Sequence, residues 1–132
     1  MSSAEIKANR PLSPHIQIYR WHLTMVMSIV HRVTGGALYF GTVLLAAWLM
    51  ALAGGPGPFA TAQAIAGSWF GLLVLFGYSW ALIHHMLGGL RHFVWDFGFA
   101  MGKPARDRIA LANLVLSIVL TLVVWAVALM LR

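Results

Sequence analysis

The sequence contains no cysteine and only three acidic residues in 132. Without cysteine the chain forms no disulfide and offers no thiolate to a metal or an iron–sulfur cluster. Charged residues of both signs make up 9% of the chain, whereas a soluble domain carries roughly a quarter. Because 61% of the residues are apolar as well, an ordinary water-soluble domain is excluded.

One segment has no charged residue for 58 positions, between Arg32 and Arg91. A spanning helix needs about 20 apolar residues to cross a hydrocarbon core of roughly 30 Å, so this segment holds two such helices. The glycines and prolines at 54–58 separate them, because both residue types disfavour a helix interior. Another uncharged run of 23 residues follows at 109–131.

These runs predict an all-α membrane protein with three transmembrane helices. The chain is interpreted as a single transmembrane domain over residues 1–132, with a polar lead-in at 1–25. The three helices are expected at about residues 26–53, 66–95 and 109–131.

The basic residues predict the orientation of these helices. Eight of the nine lie before or at the start of the first helix, or around the second loop: Lys7, Arg10, Arg20, Arg32, Arg91, Lys103, Arg106 and Arg108. Basic loops stay on the cytoplasmic side, so the N-terminus is expected in the cytoplasm and the C-terminus outside. This bias and anionic lipid headgroups account for the net charge of +6 without nucleic-acid binding.

The first helix carries a polar stripe near its inner end. The spacing i, i+3, i+4, i+7 places four residues on one face: Ser28, His31, Arg32 and Gly35. An arginine inside the bilayer usually faces protein or water, although Arg32 alone is equally explained by snorkelling to the headgroups. The hydroxyl and the imidazole on the same stripe favour a polar pocket.

The second helix carries a pair of histidines beside a pair of glycines. The residues that share a face at the same spacing are His85, Gly88, Gly89 and His92. A neutral imidazole is a good ligand for haem iron, and nearby glycines let a flat macrocycle approach the backbone. Helix packing through small residues explains the pattern equally well. The neighbouring His84 leaves the choice of ligand open by one residue.

Three segments, in this order, resemble the cytochrome b556-type large membrane-anchor subunit of succinate dehydrogenase, in its alphaproteobacterial and mitochondrial form. They are RPLSPHIQIY at 10–19, SxxHRxxG at 28–35 and HxxxGxRHxxWD at 85–96. The resemblance covers nearly the whole chain in order, spacing and number of helices.

The resemblance implies a ubiquinone pocket and a haem b site. Ser28 and Arg32 would help to form the pocket, with Ile16 and Trp21 lining it. His85 would be the axial ligand of the haem iron, because the Arg91–His92 pair fixes the register of the motif.

The resemblance also places His31 near the haem propionates, and Arg32 beside it would serve both haem and quinone. The third helix has no histidine, so the second axial ligand would come from another chain, as the small anchor subunit of the family provides. His84 would then turn toward a neighbouring helix.

The implied role is that of one subunit in a respiratory enzyme, with no activity alone. A flavoprotein subunit oxidises succinate, and an iron–sulfur subunit passes the electrons to ubiquinone, linking the tricarboxylic acid cycle to electron transport. The expected location is the bacterial inner membrane. Three alternatives remain at this point: a haem-free structural anchor, a quinol:fumarate reductase anchor, and a transporter or channel subunit. The last is disfavoured because no predicted helix is interrupted near mid-membrane.

Overall fold

The computed structural model describes residues 19–131. Within this range there are four α-helices and no strand: α1 (Leu23–Ala53), α2 (Pro56–Ala66), α3 (Trp69–Asp96) and α4 (Lys103–Met130). Of these, α1, α3 and α4 are long and apolar enough to cross a membrane. The all-α class and the three predicted spans are therefore confirmed.

The interior of the bundle is more polar than its outer surface. Among the described residues, three hydrophobic side chains are buried, against six polar or charged ones. The outer surface carries the large apolar side chains, for example Phe40, Leu44 and Val123. This distribution suits a lipid environment, in which polar groups find partners between the helices and apolar groups face the acyl chains.

The third span begins earlier than the sequence predicted, at Lys103 rather than at residue 109. The prediction used the end of the charged segment as the boundary, whereas a helix can continue past the hydrocarbon into the headgroup region. Pro104 lies in the first turn, where its missing N–H is not needed for a helical hydrogen bond. Likewise α1 begins at Leu23, inside the predicted polar lead-in.

The first loop contains a helix that the sequence did not predict. The chain does break at Gly54 and Gly55, and Gly55 has a φ of 96°, a conformation that favours glycine. Pro56 then starts α2, since proline is well suited to the first helical position. Trp48 Nε1 donates a hydrogen bond to Gln63 Oε1 at 3.2 Å, which holds α2 against the end of α1.

The orientation of the bundle stays a prediction that single cysteines can test, because the chain has none of its own. We expect Ala60→Cys, in α2, to react with an impermeant thiol reagent on intact spheroplasts, and Met101→Cys to react only in inverted vesicles. Both positions are exposed in the structure. Labelling of Met101→Cys but not of Ala60→Cys in spheroplasts would reverse the orientation.

Candidate functional site

The two histidine motifs meet in the crevice between α1 and α3. The imidazole rings of His31 and His85 stack face to face, with centroids 3.9 Å apart and ring planes within 2° of each other. His92 lies two turns after His85 on α3, and its ring centroid is 5.5 Å from that of His31. Motifs separated by more than 50 residues of sequence thus form one cluster.

Hydrogen bonds from α1 fix the orientation of His85. Its Nδ1 lies 3.0 Å from the carbonyl oxygen of His31 and 3.4 Å from Thr34 Oγ1. Thr34 Oγ1 donates to the same carbonyl at 2.9 Å. A carbonyl oxygen only accepts, so Nδ1 of His85 carries the proton and donates. In the neutral tautomer with this proton, Nε2 keeps its lone pair, which is the state that a metal-binding imidazole requires.

The four glycines near the stack divide into two that are packed and two that face open space. A Cβ atom on Gly35 would lie 2.8 Å from His85 Cε1, and one on Gly88 would overlap the ring of His31. By contrast, a Cβ on Gly36 or Gly89 would meet nothing within 4 Å. The sequence placed Gly88 and Gly89 on one face, but only Gly89, one turn from His85, leaves room for a flat group.

His84 points away from this crevice. It is fully buried, and its Nδ1 lies 3.2 Å from Ser117 Oγ and 3.3 Å from Asn113 Nδ2, both on α4. The side chain therefore turns toward a neighbouring helix, as expected. Two adjacent residues on a helix point about 100° apart. His84 therefore contacts α4, whereas His85 contacts α1.

Sequence reasoning missed the polar residues of α4 that receive His84. Asn113, Ser117 and Thr121 are all buried, and they recur every fourth residue along one face of the helix. Three polar residues at this spacing in an otherwise apolar helix are a readable signal of a helix interface. The hydrogen bond from Trp125 Nε1 to Ser79 Oγ, at 3.3 Å, continues the same interface toward the C-terminal end of α4.

Arg91 is buried, although the sequence analysis treated it as a basic marker of the inner surface. Only 4% of its surface is exposed, and its guanidinium carbon lies 5.1 Å from the centre of the Trp95 ring. That distance is suited to a cation–π interaction. Within residues 19–131, its Nε and Nη1 atoms have no hydrogen-bond partner.

The predicted quinone residues that the structure describes lie at or just before the N-terminal end of α1. Arg32 Nη2 donates to Ser28 Oγ at 3.4 Å, so the structure brings these two side chains together on the surface of the helix. Trp21 lies just before the helix and is 46% exposed. Ile16 lies outside the described residues. The Arg32 side chain is exposed and is therefore accessible to a ligand at the surface of this chain.

Comparison with known proteins identifies the family. Residues 6–124 match the family described as succinate dehydrogenase/fumarate reductase transmembrane subunit. The chain belongs to this family.

Curated relatives of this family span nearly the whole chain. It is 43% identical over 124 residues to the succinate dehydrogenase cytochrome b556 subunit of Paracoccus denitrificans, covering 92% of this chain and 95% of that protein. It is 34% identical over 123 residues to the subunit of the same name from Rickettsia felis, covering 92% and 94%. The mitochondrial succinate dehydrogenase cytochrome b560 subunit of Sus scrofa is 37% identical over 116 residues, covering 84% of this chain and 67% of that protein.

The match confirms the resemblance found from the three sequence motifs. As a succinate dehydrogenase/fumarate reductase transmembrane subunit, the chain is a multi-pass membrane component of an oxidoreductase complex. The family match runs from the N-terminal segment into α4, so the crevice with His31 and His85 lies wholly within it.

Proposed function

We propose that this chain is the large membrane anchor of a succinate dehydrogenase and that it contributes to a haem b site and a ubiquinone site. His85 would hold the haem iron. Ser28 and Arg32, with Trp21 and Ile16, form this chain's part of the quinone pocket. The relatives named cytochrome b556 and b560 subunits support the haem, because a b-type cytochrome carries haem b.

The orientation of His85 is the observation that carries the haem proposal. Its Nδ1 lies 3.0 Å from the His31 carbonyl oxygen, which leaves Nε2 as the atom that would bind the iron. Gly89, one turn away on the same helix, leaves space for the macrocycle beside the ligand. His31 and Arg32, nearer to the inner end of α1, are the residues that would meet the propionates. Bound in this way, haem b supplies a one-electron carrier.

A second ligand to the iron would come from another chain. His84 is buried against α4, and the ring of His31 is stacked on that of His85, so neither side chain would supply a second ligand to an iron held by His85. His92 lies two turns inward on the same helix as His85. A small second anchor subunit therefore completes the site, and flavoprotein and iron–sulfur subunits docked on the inner surface deliver the electrons.

Quinone reduction requires charge stabilisation that Arg32 and Ser28 are suited to give. Two electrons and two protons convert the quinone to quinol, and negative charge develops on the ring oxygens. A guanidinium in a water-poor site stabilises that charge, and a hydroxyl donates to a carbonyl oxygen. With the predicted orientation, the pocket lies at the cytoplasmic surface of the bacterial inner membrane, where protons are available.

A reduced-minus-oxidised visible spectrum of the purified membrane complex tests this proposal. We expect the α-band of a b-type haem, together with flavoprotein and iron–sulfur subunits that co-purify with the chain. A complex that contains all the subunits but shows no haem band would mean that this chain is a haem-free structural anchor. A complex that oxidises low-potential quinol with fumarate but does not reduce ubiquinone with succinate would identify a fumarate reductase anchor instead.

A further inference from the structure

We propose that Gly35 and Gly88 are positioning residues that set the plane of the His85 imidazole by making room for the His31–His85 stack. The inference rests on the proposed function, since it concerns the orientation of a haem ligand. It follows from the packing of the crevice, in which each glycine lies against one of the two stacked rings.

Gly35 acts directly on His85. An added Cβ would lie 2.8 Å from Cε1 and 3.4 Å from Nδ1 of the imidazole, so the ring would have to move. One face of the His85 ring is covered by the His31 ring, with the ring centroids 3.9 Å apart. Its Nδ1 is held by the His31 carbonyl oxygen at 3.0 Å. Any rotation that relieves the overlap therefore lengthens or bends the hydrogen bond from Nδ1. A glycine at position 35 permits the stack and the hydrogen bond together.

Gly88 acts through His31. An added Cβ on Gly88 would overlap Nδ1 and Cε1 of the His31 ring, and the ring of His85 is stacked on one face of His31. The displaced ring would press on the ligand or separate α1 from α3. Gly35 on α1 thus accommodates the ring from α3, and Gly88 on α3 accommodates the ring from α1.

The consequence would be visible in the haem and not only in the stability of the bundle. Hydrogen bonding to the outer nitrogen of an axial histidine raises its basicity, and ring orientation is fixed by the same contacts. Both properties influence the reduction potential of a haem iron. A side chain at position 35 should therefore displace the electron paramagnetic resonance signal of the ferric low-spin haem and its midpoint potential.

The test compares Gly35→Ala with Gly36→Ala in the complete membrane complex. The two glycines are adjacent on α1, but a Cβ on Gly36 meets nothing within 4 Å. At equal haem content, we expect Gly35→Ala to shift the largest g value (gmax) of the low-spin haem in electron paramagnetic resonance and to shift its midpoint potential. We expect both values in Gly36→Ala to match those of the wild type. Equal gmax and potential in all three proteins would overturn the proposal.

Two further variants decide the matter if Gly35→Ala fails to assemble. Gly88→Ala should shift the same signals through His31, and His31→Leu should shift them by removing the stacked ring while keeping the backbone carbonyl. Wild-type signals in both would overturn the positioning role. His85→Leu separates this failure from that of the proposed function, because haem that survives His85→Leu unchanged would mean that His85 is not the ligand at all.

Discussion

Substitution of His85 by leucine is expected to abolish the low-spin haem signal of the complex. Leucine fills a similar volume but has no lone pair for iron, so the haem would lose one of its two axial ligands. The adjacent His84 cannot replace it, because His84 is fully buried against α4, with its Nδ1 3.2 Å from Ser117 Oγ. The measurement is the reduced-minus-oxidised spectrum, with haem content determined separately.

The matched control for this prediction is His84→Leu, one residue away. We expect it to retain the low-spin spectrum, because His84 faces the α3–α4 interface and not the crevice. It should, however, lower the free energy of unfolding by about 1–3 kcal/mol, since Asn113 and Ser117 lose a buried hydrogen-bond partner. Loss of the haem in His84→Leu and its retention in His85→Leu would move the ligand by one residue. An unchanged spectrum in both variants would remove haem ligation from α3.

The spans were predictable from the sequence because lipid imposes a simple rule on composition. The uncharged segment between Arg32 and Arg91 is long enough for two spanning helices and the connection between them. The ends of the helices were less predictable, because helical hydrogen bonding does not stop where the hydrocarbon stops. The start of α4 at Lys103 lies in a charged segment, and α2 begins at a proline; neither feature prevents a helix from starting there.

The local part of the candidate site was also predictable. Ser28 and Arg32 are one turn apart on the same helix, and their contact follows from helix geometry alone. The orientations of His84 and His85 were not predictable in this way. They depend on which neighbouring helix offers a partner, and both α1 and α4 carry polar groups that can accept an imidazole.

The stack of His31 on His85 depends on the rotation and the axial shift of α1 against α3. Neither quantity can be read from one sequence, because each is determined by close packing at several points along the pair. Gly41 lies against the Tyr78 ring further toward the C-terminal end of α1, and Gly35 lies against His85. The glycines of α1 are a sequence signal of close packing, because two of them lie where bulky α3 side chains cross the helix. Which α3 side chain meets which glycine could be determined only from the structure.

Arg32→Leu is expected to lower ubiquinone reduction by roughly 10- to 100-fold, while dye-linked succinate oxidation and assembly stay near the wild-type level. The estimate corresponds to a charge-assisted hydrogen bond worth about 1.5–3 kcal/mol to the developing anion. Ser28→Ala should cost only a few-fold, at about 1 kcal/mol for a neutral hydrogen bond. The two assays separate the quinone site from the succinate site, because artificial dyes accept electrons before the membrane anchor.

A general loss of positive charge at this end of the bundle must be distinguished from loss of the Arg32 contact. Arg108→Leu provides this control, since Arg108 is exposed at the start of α4 and its Nε donates within its own helix to the Pro104 carbonyl at 3.3 Å. We expect Arg108→Leu to reduce ubiquinone at the wild-type rate. If Arg32→Leu does so as well, Arg32 serves only to anchor α1 at the headgroups, and the quinone binds elsewhere in the complex.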